Sequence, residues 1–156
     1  MKIKLIQIGK TDDSYIKDGV KEFEKRLTKY VVFESVVLNS VKKSNYNEEV
    51  LKKAEGEVLL KEISSSDFLV LLDENGKEFS SRGFAQFIES KQNASVKQLI
   101  LVIGGAYGFS EEVYKRADAK LSLSKMTFSH QMVRLFFIEQ LYRAFTILKG
   151  EKYHHD

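Results

Sequence analysis

The sequence predicts a single-domain α/β fold, with a mostly parallel sheet covered by helices on both faces. Three observations predict it. Strand-like and helix-like segments alternate along all 156 residues, two of the strand-like segments are apolar throughout, and a glycine or a short polar run follows each of them. That length is ordinary for one domain and one core.

Lys2–Ile8 alternates polar and apolar residues up to Gly9 and predicts a strand. Ile16, Val20, Phe23 and Leu27 recur at helical spacing, with Asp12, Asp13 and Ser14 available to cap the start. Residues 31–38 are rich in β-branched side chains and predict a second strand, and residues 40–47 a polar connection. A second helix over 48–62 places Leu51, Ala54, Val58 and Ile63 on one face. The apolar run 68–72 reads as a strand buried on both faces, closed by a turn at Asp73-Glu74-Asn75-Gly76. A third helix over 80–92 carries Phe84, Phe87 and Ile88, and the apolar strand 99–103 runs straight into Gly104-Gly105. Ser110, followed by Glu111 and Glu112, starts a short helix whose positive end those acids suit. Residues 121–123 form a last strand, and 129–148 one long helix ended by Gly150.

That last helix is apolar almost all the way round, from Met132 to Leu148. Such a helix must be covered on every side. A copy of the same chain is the simplest cover in a domain whose helices lie outside the sheet, so a homodimer through the C-terminal helix is expected; sinking the helix into the monomer's own core is the alternative.

Composition narrows the function. There is no cysteine, which excludes disulfides, thiolate catalysis and cysteine-held metals, and the three histidines at 130, 154 and 155 leave little for a metal site. No metal and no membrane span are expected, and without a secretory-type start the expected location is cytoplasmic. A net charge of +3 permits a nucleic-acid partner without requiring one.

Three segments hold groups suited to chemistry. Ile103-Gly104-Gly105-Ala106-Tyr107-Gly108 follows a buried strand, where ligands of parallel sheets bind and glycines let backbone approach them. Its spacing is not that of a dinucleotide or phosphate loop, and a tight strand-to-helix turn explains it equally well. Residues 121–134 gather small hydroxyls and a cation near a helix start, which suits an anionic or carboxylate-bearing ligand. There His130 and Arg134 stand four apart on one face, as helix cap and surface ion pair or as site residues. Glu139 and Arg143 make a second such pair, of structural or dimer-contact character. Tyr153-His154-His155-Asp156 is either a frayed end or a tail able to stack on and hydrogen-bond a base.

Taken together, these segments resemble the bacterial large-subunit rRNA pseudouridine N3-methyltransferases, a small family of the trefoil-knotted (SPOUT) methyltransferase superfamily. The resemblance rests on the Lys-Ile-x-Leu-Ile-x-x-Gly-Lys start, Leu71-Leu72-Asp73 with Gly76-Lys77, Ile103-Gly104-Gly105 with Gly108, and Ser122 to Phe128 followed by His130. It continues through Arg134, Glu139-Gln140-x-Tyr142-Arg143-Ala144 and Tyr153-His154. It implies a deeply knotted C-terminal half, which general topology rules would reject. It also implies S-adenosylmethionine held by Leu72, Gly104, Gly105, Leu123, Ser124, Lys125, Met126, Thr127 and Phe128. The implied substrate is a pseudouridine of helix 69 of 23S rRNA in the assembled ribosome. His130, Arg134, Tyr153 and His154 are then the candidates for recognition and chemistry, with His130 a possible base and Arg134 a clamp for an anion. Ser129 stands where that family commonly has proline, and is available as a helix cap. A non-catalytic ribosome-binding factor with the same fold is the alternative; a nucleotide-dependent α/β enzyme lacks its phosphate motif.

Overall fold

A computed structural model describes residues 1–41 and 47–155. The central part of the polar connection at 40–47, and Asp156 of the tail, therefore lie outside the described residues. Five strands, β1 (Lys2–Ile8), β2 (Val32–Leu38), β3 (Phe68–Glu78), β4 (Gln98–Ile103) and β5 (Ala119–Ser122), form one sheet in the order β2-β1-β4-β3-β5. Each neighbouring pair is parallel, so the sheet is parallel throughout. Among the described residues four helices connect them, α1 (Ser14–Leu27), α2 (Glu48–Lys61), α3 (Ser81–Asn93) and α4 (Glu111–Arg116), and α5 (Met132–Leu148) follows β5.

Strand alternation divides the core into two layers. Ile3, Leu5, Leu99, Leu101 and Ile103 meet α1, α3 and α5 on one face. Ile6, Ile8, Ile100 and Val102 meet Leu59 of α2 and Val113 of α4 on the other. Between these layers β1 and β4 have almost no exposed side chains, as a sheet covered on both faces requires.

Several expectations need correction. Residues 73–76 do not end β3. Both Leu72 and Lys77 pair with Leu121, so the four residues between them loop out and the strand resumes alongside β5. The side chain of Asp73 accepts the Asn75 N–H at 2.8 Å and shapes this excursion. The strand called for at 121–123 runs instead over Ala119–Ser122, because that is the stretch within reach of β3. In α2 the buried residues are Gly56 and Leu59, whereas Val58 is exposed. The reason is Gly56: a Cβ there would stand 2.5 Å from Ser110 Oγ, so the helix turns its glycine toward α4 to pack closely. Asp13 caps α1 by position but makes no side-chain cap bond.

The long helix begins at Met132 rather than 129. Ser129 still acts as a cap in the turn before it, its Oγ accepting the Met132 N–H at 3.1 Å. Along α5, Phe137, Ile138, Leu141, Ala144 and Phe145 are buried against α1 and α3, while Phe136 is 42% exposed.

Candidate functional site

The ends of β4 and β5 meet the excursion of β3 at the C-terminal edge of the sheet. Leu72 and Asp73 open the excursion within β3, Gly104 and Gly105 leave β4, and residues 123–128 leave β5. They enclose a cavity of about 250 Å³. All nine residues expected to hold a cofactor line it, with His130 and Val133 on a further side. Residues 123–128 belong to neither helix nor strand, so their backbone amides and carbonyls are not committed to either ladder. Ser122 and Ser124 fix the bend: Ser122 Oγ donates to the Ser124 carbonyl at 3.0 Å, and Ser124 Oγ accepts the Met126 N–H at 2.9 Å. Phe128 rests against Phe136 with ring centroids 5.0 Å apart.

The glycines are there for space. A Cβ on Gly104 would lie 2.9 Å from the ring of buried Phe109, and one on Gly105 would lie 2.6 Å from Glu55 Oε2. Bare backbone consequently forms one wall of the cavity, a surface against which a flat or elongated ligand lies without meeting side chains. The floor is braced by Tyr114, whose hydroxyl donates to Asp73. Burial, reinforced by that carboxylate, pushes the Tyr114 phenol up to about 12.

From β5 at one edge the chain crosses the ends of β3 and β4 to reach β1. Gln131 fastens it there, accepting the Asp12 N–H at 3.0 Å and donating to the Lys10 carbonyl at 3.2 Å. This crossing delivers His130 to the boundary between the first cavity and a second of about 570 Å³, lined by Lys10, Asp12, Asn39, Glu55, Gly105 and Tyr107 among others.

Arg134 lies behind His130, fully buried. Its guanidinium donates to the Ile8 carbonyl at 2.9 Å and to Thr11 Oγ1 at 2.7 Å, and stands 3.1 Å from His130 Nε2. Among the described residues it therefore pairs with no surface carboxylate, and it lines neither cavity. A guanidinium has donors only, so Nε2 must be the acceptor in that contact and His130 carries its proton on Nδ1. Burial and the charge of Arg134 both depress the imidazole's pKa, against a weaker pull from Asp12. Glu55, which the sequence reading did not single out, is half-buried beside Gly105. Burial raises its pKa, offset in part by a Val41 backbone hydrogen bond.

Tyr153 and His154 are not brought to this place. Tyr153 donates to Glu139 at 3.0 Å and packs edge-on against Tyr142, centroids 4.8 Å apart. Its ring also lies 4.8 Å from the Arg143 guanidinium, which stands 3.5 Å from His154 Nδ1 and ion-pairs with Glu139. Arg134 and Arg143 are nine positions apart along α5, roughly 14 Å at 1.5 Å per residue.

Comparison with known proteins decides the family. The sequence model of a family described as "Predicted SPOUT methyltransferase" matches residues 1–154. The chain belongs to the SPOUT methyltransferase family. Relatives bear this out over whole lengths. The chain is 59% identical over 156 residues to ribosomal RNA large subunit methyltransferase H of Christiangramia forsetii, covering 99% of each. It is 54% identical to the protein of that name from Flavobacterium johnsoniae, again over 99% of each, and 44% identical to that from Bacteroides thetaiotaomicron over all of both. As a SPOUT methyltransferase the chain needs a methyl donor, and family membership implies the trefoil knot.

Proposed function

We propose that this chain uses S-adenosylmethionine to methylate N3 of a pseudouridine in helix 69 of 23S rRNA, acting on the assembled ribosome in the cytoplasm as a homodimer formed through α5. One observation carries the reading: the excursion of β3 and the ends of β4 and β5 converge on a single cavity walled by bare glycine backbone and by the irregular backbone of 123–128. That wall suits a ligand with a flat base and an amino-acid arm, and the donor supplies an electrophilic sulfonium methyl when bound.

The chain's own residues align the base and exclude water. Leu72, Gly104, Gly105, Leu123, Ser124, Lys125, Met126, Thr127 and Phe128 hold the donor. His130, between the two cavities, faces the reacting base. With Nε2 engaged by Arg134 it serves better as a hydrogen-bond donor from Nδ1 than as a base, and Arg134 is a positioning residue for it and for the loop after β1. Tyr153 and His154 reach a cavity only from a second copy, since within one chain they lie along α5 away from it.

The test is transfer of a labelled methyl group from S-adenosylmethionine to ribosomes that carry the pseudouridine but lack its methyl group. Label recovered at that one nucleotide is the expected result. Absence of label with such ribosomes, when the protein binds the donor, overturns the substrate assignment.

A further inference from the structure

Beside the second cavity a groove of about 460 Å³ runs between α1 and the edge strand β2. We propose that this groove carries the phosphate backbone of the RNA whose base enters the site. The proposal rests on the rRNA reading above and adds the surface that would hold the strand.

Lys10, Lys17 and Lys21 border the groove, against Glu24 as the acid among its lining residues. All three lysines are exposed, and among the described residues none has an ion-pair partner. Lys17 and Lys21 stand four apart and so project from one side of α1. Farther along that helix Glu22 and Arg26, by contrast, neutralise each other. A lysine-lined groove left unneutralised favours a ligand with repeated negative charge, and ammonium groups hold phosphates without reading bases.

The floor departs from the pattern of the fold. In β1, Ile3 and Leu5 point into the apolar core, and the next position on that face is Gln7. Gln7 is 2% exposed, its amide donates to Ser35 Oγ at 3.2 Å, and its carbonyl oxygen has no partner among the described residues. Placing such a group where an apolar one would pack costs stability, and rule-breaking of that kind concentrates where a surface is used. The groove is also continuous with the site, because Lys10 and Asn39 line both it and the second cavity. A strand whose target base enters beside His130 has this groove as its exit.

The experiment compares parent protein with Lys17→Ala/Lys21→Ala, with Lys17→Arg/Lys21→Arg, and with the control pair Lys61→Ala/Lys97→Ala, two exposed lysines at the opposite, N-terminal end of the central strands. Ribosome binding is measured across a salt series, with methyl transfer and S-adenosylmethionine affinity alongside. Losing two phosphate contacts should weaken ribosome binding about tenfold near physiological salt and flatten the slope of log affinity against log salt by about 1.5. The arginine pair should restore both, the control pair should change neither, and donor affinity and the rate at saturating ribosomes should stay within about twofold of parent. An unchanged slope in the alanine pair, or an equal change in the control pair, overturns the groove. If the parent binds ribosomes with the expected slope but transfers no methyl, the reading of the reaction fails and the groove stands.

Discussion

Arg134 shows how much of the site rests on a single side chain. A guanidinium with no exposure is tolerated because it donates to the Ile8 carbonyl, to Thr11 and to His130, tying the end of β1 to the start of α5. Burial, and after it the positive charge of Arg134, disfavour the protonated imidazole of His130. The depressed pKa of His130 has a testable sign. A histidine whose folded pKa lies below its unfolded value of 6.5 adds stability above pH 6.5, and that contribution is lost as pH falls through the folded value. Parent protein should therefore lose melting temperature faster than His130→Gln as the pH is lowered from 6.5, with the two curves parallel above it. Parallel curves throughout would mean that His130 is not held neutral by its surroundings. The i,i+4 spacing of His130 and Arg134 was legible in the sequence. Their partners were not, because Ile8 and Thr11 lie more than a hundred residues away and only the folded sheet brings them near.

Among the elements, β3 with its excursion shows what local pattern can and cannot supply. The apolar run 68–72 and the polar Asp73-Glu74-Asn75-Gly76 were both readable as a strand and a break. The resumption of the strand depends on β5 lying alongside, a contact between residues more than forty positions apart. Similarly, the buried side of α2 was misjudged because its apolar residues do not mark the tight approach that Gly56 permits. The nine positions that the resemblance implies for a cofactor, by contrast, fall on one cavity, since the ends of neighbouring parallel strands share an edge. Gly76 tests the excursion. A Cβ there would lie 2.5 to 2.8 Å from the backbone of Leu121, which cannot swing aside as a side-chain end would. Gly76→Ala should lower stability by about 1–3 kcal/mol. It should weaken S-adenosylmethionine binding as well, because Leu72, Asp73 and Leu121 all border the cavity. Denaturant melts with donor calorimetry check it: a variant as stable as parent would show that β3 and β5 are not held in this register.

At the scale of the whole molecule, the two groups of candidate residues occupy opposite stretches of α5. His130 and Arg134 stand at its start, and Tyr153 and His154 are folded back onto Glu139, Tyr142 and Arg143 beyond its middle. One chain cannot use both on one base. The outward side of α5 keeps Phe136 exposed and Val133 and Ile147 half-buried, which is the surface a second copy would cover in an isologous dimer. In such a dimer each cavity takes its donor-binding wall and His130 from one chain and its tail from the other. Complementation by mixing tests this. Chains carrying His130→Ala and chains carrying Tyr153→Phe with His154→Ala should each be inactive alone. Unfolded together in equal amounts and refolded, half of the dimers are mixed, and each mixed dimer holds one cavity with both parts intact. Activity should then recover to about a quarter of the parent value, whereas equal mixing of either variant with itself recovers none. If the mixture stays inactive while the two chains demonstrably associate, the tail does not serve the neighbouring cavity, and Tyr153 and His154 revert to bracing the end of their own helix.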